Sequence, residues 1–407
     1  MSSAVLVKQL QGTISKFVAW LDQYGETSYD FQTFYASPVG QKAKGLYYKQ
    51  PLLGTMAVAP IIFCEAFIPS ARRLFWKPQR FPIADAHYAM GFAALSQTLG
   101  DKKYYQRAVH FLDMLEATRC PGQNHYAWGY PFDWVGIGGT IKAGTPLITT
   151  EPYVYEAFSQ VYEIDKDQKW RQVMRSIAQH ASEDYFDAET SPLASRASYS
   201  PSPEPSVGGV VNASAYRAFL LTKAALDFSE EKYRRQAERN LHFVLESQNA
   251  DGSWYYAMDG KRSFVDHFHT CFVMKALAKI ERLTGDFYCT AAIERGVRYY
   301  VEHLFDEAGL PKPFSKAPRL TIYRRELYDY AECINIATLL RGRFPELDKR
   351  LEKVLNDIMT RWQRPDGSFR SRHLLLGWDN VPMHRWAQAQ LFRSFSCLLS
   401  QTKQRSE

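Results

Sequence analysis

Two helical patterns of different character adjoin between residues 231 and 283, with a turn-rich crossing between them. In the first, Tyr233, Ala237, Leu241, Val244 and Leu245 recur at helical spacing among Lys, Arg and Glu. That spacing predicts a helix with one buried stripe and a solvated face. The crossing, Gln248-Asn249-Ala250-Asp251-Gly252-Ser253-Trp254, is rich in residues that favour turns. The second pattern opens on Asp266-His267-Phe268-His269-Thr270-Cys271-Phe272 and is apolar on most sides, as a helix packed on both faces must be. An outer helix, a crossing and an inner helix form one unit.

The unit recurs along the chain. Inner patterns lead from the polar residues Asp85, Glu151, Asn212, Asp266, Asp329 and His384, at steps of 66, 61, 54, 63 and 55 residues. Outer patterns start in phase after Asp101, Asp167, Ser229 and Asp286, with Asp or Ser placed to cap. Taking residues 52–75 as the first outer helix gives six outer and six inner helices, and no long alternating strand pattern competes. Six such hairpins close most naturally into an (α/α)6 toroid, because an open solenoid exposes one face of each end repeat. The expected fold is all-α. Residues 1–50 supply an additional N-terminal helix and a Tyr-rich segment, 51–400 the toroid and 401–407 a tail.

The crossing at 248–254 and Gln363-Arg364-Pro365-Asp366-Gly367-Ser368-Phe369 sit at the same place in two repeats. Both resemble the QW-type element of toroids such as squalene cyclases, which speaks to fold and not to reaction. A toroid places every outer-to-inner connection at one end. Here those connections are long and the inner-to-outer ones only a few residues, so the site is expected at the long-loop end.

With 46% hydrophobic and 14% aromatic residues, the 407-residue chain can bury a large core. A formal charge of +7 without a dense Lys/Arg tract argues against nucleic acid as a partner. Six scattered cysteines lack metal or disulfide spacing, so no metal site is expected and a reducing, cytoplasmic setting is. The N-terminus lacks the basic and apolar regions of a signal peptide. The most apolar run, 52–63, is shorter than the roughly 20 residues of a membrane span; it is expected to be a buried helix, and no span is expected.

Chemistry concentrates at the leading residues. Each of Asp85, Glu151, Asn212, Asp266, Asp329 and His384 would stand at the mouth of a central cavity, where capping explains any one of them singly. Together they offer the convergent carboxylates and imidazoles that general acid–base chemistry needs. Asp266 and His269, at i and i+3, share a helix face, so the carboxylate can orient the imidazole, while His267 points elsewhere. Candidate catalytic groups are Asp266, His269, Glu151, Asp85 and Asp329. Aromatics among glycines in the loop at 121–151, including Trp128, Tyr130 and Trp134, together with Tyr153, Trp254, Tyr255, Tyr256 and Trp378, suit stacking on sugar rings. Their alternative is to anchor the loops. Basic loops at 311–325 and 365–373, with Lys312, Lys316, Arg319, Arg324, Arg325, Arg370 and Arg372, suit an anionic ligand. With Asn212, His267 and His384 these complete the candidate binding residues. No Walker loop, GxGxxG, GxSxG, DDxxD or DxDD motif occurs, and no cofactor is expected.

The chain from about residue 52 to 399 resembles the six-hairpin toroids of carbohydrate enzymes, which include glycosidases, polysaccharide lyases and sugar epimerases. The Asp-Gly-Ser-Trp and Asp266-His267-Phe268-His269-Thr270 segments also resemble toroid proteins encoded with bacterial exopolysaccharide biosynthesis genes. The resemblance implies an enzyme acting on an anionic sugar or polysaccharide by hydrolysis, elimination or epimerisation. Two other readings stay open at this point: a cyclase-like enzyme on an isoprenoid, and a non-catalytic glycan-binding or scaffold protein. Oligomeric state is not legible.

Overall fold

Four of the six inner helices stop in a common way. Gly100, Lys166, Ser229 and Gly285 take left-handed backbone, with φ of 66°, 57°, 56° and 72°, and each turns its N–H back onto the preceding helical turn. Asp101, Asp167 and Asp286 then cap the next outer helix by accepting from Lys103 N, Lys169 N and Tyr288 N. Two residues therefore suffice between inner and outer helix at these four joints. Ser229, expected as a cap, is instead the left-handed terminator, and Glu230 opens the next helix without a side-chain bond.

The computed structural model describes residues 3–201, 209–318 and 320–405. It begins with α1 (Ser3–Tyr24), α2 (Thr33–Ala36), α3 (Pro38–Lys49), α4 (Pro51–Phe67) and α5 (Arg72–Phe75). It continues with α6 (Pro82–Leu99), α7 (Lys102–Ala117), α8 (Glu151–Asp165), α9 (Gln168–Glu183), α10 (Val211–Phe228) and α11 (Glu231–Glu246). The last are α12 (His267–Thr284), α13 (Phe287–His303), α14 (Leu327–Leu339), α15 (Pro345–Asp357) and α16 (Ala389–Gln404). α6, α8, α10, α12, α14 and α16 pack in succession, and α16 closes on α6. The chain is an (α/α)6 toroid. α16 runs through Gln404, so 401–404 continue the inner helix and are not a tail.

The sixth outer helix is α1, which packs on α16; residues 52–75, expected in that place, are not part of the ring. The two QW-like turns show why. Gln248 Nε2 donates to Ala292 O on α13, the next outer helix. Gln363 Nε2 donates in the same way to Thr13 O on α1. Gly252 and Gly367 both have positive φ, 91° and 94°. A Cβ on Gly367 would lie 2.2 Å from Lys16 O, so the turn can approach α1 only as glycine. The amphipathic stripe of α1 (Leu10, Ile14, Phe17, Leu21) is buried accordingly. Gly367→Ala is expected to cost roughly 2 kcal/mol or more, through strained φ and lost approach. Gly12→Ala on α1, where a Cβ meets nothing within 4 Å, should be neutral or stabilising by up to about 1 kcal/mol. Urea unfolding of both variants checks the ring closure.

Residues 33–75 form a helical insert with its own small core of Phe34, Ala43, Val58 and Ile61. Two buried ion pairs fasten it to the long-loop end: Arg72–Asp379 at 2.8 Å and Glu65–Arg372 at 2.6 Å. α4, expected to be buried, covers only the face carrying Gly54, Val58, Ile61 and Glu65. Its other face is exposed because α4 packs on α3 and not within the ring. No single helix of the described residues is long and apolar enough to cross a membrane.

The long loops carry short antiparallel strands. Val265–Asp266 pairs with Phe314–Lys316. Tyr323–Glu326 pairs with Arg372–Leu374, which pairs with Trp378–Asp379. These pairings draw the loops before α12, α14 and α16 together at the mouth.

Candidate active site

Four of the six leading residues lie in the first turns of inner helices, and His384 opens the irregular turn that leads into α16; none of these five is the cap of its helix. Asp266 alone is an N-cap. Its Oδ1 accepts from His269 N at 2.9 Å, and its Oδ2 accepts from His269 Nδ1 at 2.6 Å. One carboxylate thus starts the helix and orients the imidazole. Asp266 is 2% exposed, whereas the His269 side chain is 22% exposed. With Nδ1 held by the carboxylate, Nε2 is the ring nitrogen left to exchange a proton with a ligand.

An aromatic wall surrounds the dyad. Tyr256, Phe268 and Phe272 lie 4.6, 4.4 and 5.4 Å from the His269 ring. From Phe268 the contacts run to Tyr328 and Trp386. Arg385 then lies 5.1 Å from the Trp386 ring and 4.8 Å from that of Tyr130. Trp134 joins Tyr130 to Tyr199. Arg385 itself is buried and held by Asp30 through two hydrogen bonds, at 3.0 and 2.6 Å. Tyr256 is among the rim aromatics expected from the sequence, whereas Arg385, Asp30, Trp386, Tyr328 and Tyr199 carry no such expectation. One signal was available: Tyr328, Arg385 and Trp386 lie within two positions of the leading residues Asp329 and His384, so the neighbouring positions also reach the mouth. For Asp30, 355 residues from Arg385, the sequence offers none.

Below the dyad lies Asp329, fully buried, with neither carboxylate oxygen hydrogen-bonded among the described residues. Burial, then the charges of Glu326 and Asp266, push its carboxyl well above the usual range, favouring the protonated form. Glu326 is paired with Arg372, and burial raises it too. Deeper in the ring, Lys275 pairs with Glu332, and Lys279 with Glu156 at 2.6 Å. The space there, lined by Tyr153, Tyr216, Phe272 and Lys275 among others, is about 10 Å³, the scale of one water. The toroid's axis is therefore filled by paired charges, and the dyad sits at a shallow mouth. A cleft of about 310 Å³ lies off-axis, with Arg80, Arg119 and Tyr130 in its lining and the dyad outside it.

Several expected site residues have other work. Asp85 is bound by Arg80 at 2.8 and 3.0 Å, and burial pushes its carboxyl up to about 7. Glu151 accepts from Trp128 N at 2.9 Å and is fully buried. His267 bonds Tyr300 Oη and Leu304 O, and burial lowers it to about 3. His384 bonds Tyr88 Oη and Gly25 O, and burial lowers it to about 4. Both imidazoles are neutral structural links. Trp128 and Trp254, expected as stacking platforms, are buried, and each Nε1 donates to an outer-helix carbonyl, Leu115 O and Val244 O. Tyr153 is buried against Tyr216 and Lys275. Asn212 is buried, with Oδ1 unpartnered among the described residues. Tyr130, Trp134, Tyr255 and Trp378 remain half-buried at the loop end.

Of the basic loops, 314–316 lies beside the dyad through its pairing with Val265–Asp266. Arg325 is committed to Asp306, and Arg372 to Glu326 and Glu65. Lys312, Lys316 and Arg324 enter no ion pair among the described residues, and Lys316 lies 4.6 Å from the Tyr255 ring. Arg319 is outside the described residues. Among the described residues, no group of three His, Cys, Asp or Glu side chains has the geometry to hold a metal ion.

No protein-family model matches the chain, and no curated protein matches it in sequence. Solved structures do match in fold. A cellobiose 2-epimerase from Bacillus thermoamylovorans superposes with a TM-score of 0.62 at 12% identity, over 80% of this chain and 88% of that one. An unsaturated glucuronyl hydrolase from Bacillus sp. GL1, described as responsible for glycosaminoglycan degradation, gives 0.60 at 12% identity and covers 96% of both chains. An α-1,6-mannanase from Salegentibacter sp. gives 0.54 at 12% identity, over 79% and 88%. All three share the toroid.

Proposed function

We propose that this chain is a carbohydrate-active enzyme that uses His269, oriented by Asp266, as its proton-transfer group on an anionic, uronate-type sugar or glycan. The observation that carries the reading is the dyad itself: a carboxylate-held, partly exposed imidazole set among aromatic rings. Asp329 is the second group, a buried acid whose carboxyl is pushed up by burial, and an acid beside a carboxylate-held imidazole suits acid–base work. Tyr130, Trp134, Tyr256 and Trp386 offer faces for sugar rings, and Lys312, Lys316 and Arg324 offer charge for a carboxylate. The kinship in fold with sugar epimerases and glycan hydrolases supports the class. Hydrolysis, elimination and epimerisation all fit this pair. A place in bacterial polysaccharide biosynthesis is part of the same proposal, as is a cytoplasmic setting, and both rest on the sequence resemblance alone. The isoprenoid reading loses its support, because the ring's axis is filled with paired charges and offers no dry chamber among the described residues.

The test is a panel of uronate-containing and neutral oligosaccharides, followed by NMR for cleavage, a new double bond or an inverted centre. Conversion of uronates that weakens as salt rises is expected, because exposed cations are screened. Equal handling of neutral and acidic sugars with no salt effect would remove the anionic substrate. Binding without conversion would make the chain a glycan-binding protein.

A further inference from the structure

The helical insert carries two apolar faces where its packing uses one. On α4, Gly54, Val58, Ile61 and Glu65 face the protein at intervals of four, three and four residues. Leu52, Met56, Phe63 and Phe67, at intervals of four, seven and four, line the opposite face in solvent. Leu53 beside them and Leu74 on α5 extend the exposed surface; Leu52 is 87% exposed, Met56 73% and Leu74 88%. Scattered surface leucines are ordinary, but a continuous apolar helix face marks an interaction surface.

The charge around this face selects its occupant. Glu65 is the only acid between Phe31 and Ala84, and it is buried and paired with Arg372. Lys42, Lys49 and Arg73 are exposed on the same insert, and Lys77 just beyond it. Tyr47, Tyr48 and Trp76 lie close to the apolar residues in sequence, the amphipathic aromatics that favour a bilayer's headgroup level. We propose that the insert is a monotopic anchor that lays α4 and α5 into the interface of an anionic lipid bilayer. A second copy of the chain would bring the same cations face to face with no exposed acid on the insert to offset them. Spanning is excluded by geometry. The 17 residues of α4 reach about 25 Å, short of the roughly 30 Å hydrocarbon core. The chain then bends by 117° into the next helical segment, and the second face of α4 is committed to the insert's own core. An in-plane helix with one apolar face and a basic rim is what remains. The two buried ion pairs at Glu65 and Arg72 tie this anchor rigidly to the toroid.

The full chain is sedimented with phosphatidylcholine vesicles, with and without phosphatidylglycerol. The parent is expected in the pellet with anionic vesicles, and at least about 10-fold less bound to neutral ones or at high salt. Met56→Glu with Phe63→Glu should return it to the supernatant. Leu52→Ser with Leu74→Ser, at positions almost fully in solvent, should weaken binding without a change in melting temperature. A parent that stays in the supernatant with both vesicle types would overturn the proposal. So would folded variants that pellet as well as the parent. A dimer by light scattering that Phe63→Glu dissociates, with no vesicle binding, would assign the face to a second copy instead.

Discussion

Asp266→Asn is expected to lower turnover by about 100-fold or more, the usual size of an acid–base contribution, while the melting temperature stays close to the parent's. Asn caps as well as Asp does, so its side-chain oxygen continues to accept from His269 N. Its amide, however, presents a donor to Nδ1 where the carboxylate presented an acceptor. The imidazole is then pinned with its proton on Nε2, and the base that should meet the substrate is lost. His269→Gln should give a similar loss. Melting curves and turnover on whichever sugar the panel converts decide the matter. Near-normal turnover in both folded variants would leave Asp266 as a cap and move the chemistry to Asp329.

Arg372→Met should destabilise the fold by about 3–5 kcal/mol, the cost of leaving buried carboxylates without their counter-ion. Arg372 is 4% exposed and serves two acids at once, Glu326 on the strand that leads into α14 and Glu65 on the insert. Glu326 also stands beside Asp329, whose carboxyl its charge helps to raise, so freeing that charge disturbs the candidate site as well as the joint. Restoring neutrality with Glu326→Gln and Glu65→Gln in the same chain should recover much of the loss. Urea unfolding of the single and triple variants measures both. A loss below about 1 kcal/mol in Arg372→Met would mean that water or another cation replaces the guanidinium.

The dyad was legible because a helix fixes the relation of residues three apart. Asp266 and His269 meet whatever surrounds them, and an Asp followed by an apolar run is a helix start in any fold. The aromatic wall was legible only as a composition. Trp128 and Trp254 look like rim residues in the sequence, yet each lies beneath its loop with an indole N–H on a helix carbonyl. Tyr256, one rim aromatic among several in the sequence, and Tyr328, which no pattern marks, form the wall. The difference is the direction of each loop's fold, which no local spacing sets.

What the sequence determined by itself is the repeat: twelve helical patterns in two characters, short turns on one side and long loops on the other. Those follow from helical periodicity and from left-handed and capping residues, which act within a few positions. It also determined the Asp266–His269 pair. Tertiary structure alone decided which helix completes the ring, because the turn at Gln363 docks on Thr13 across 350 residues. An amphipathic stripe says that a helix has a partner without saying which. Tertiary structure likewise decided that Asp85, Glu151, His267 and His384 serve the scaffold. Which leading residues become chemical and which structural depends on the partners that packing brings to them, Arg80, Trp128, Tyr300 and Tyr88 here, and burial and hydrogen bonding set a side chain's protonation only after that packing is complete.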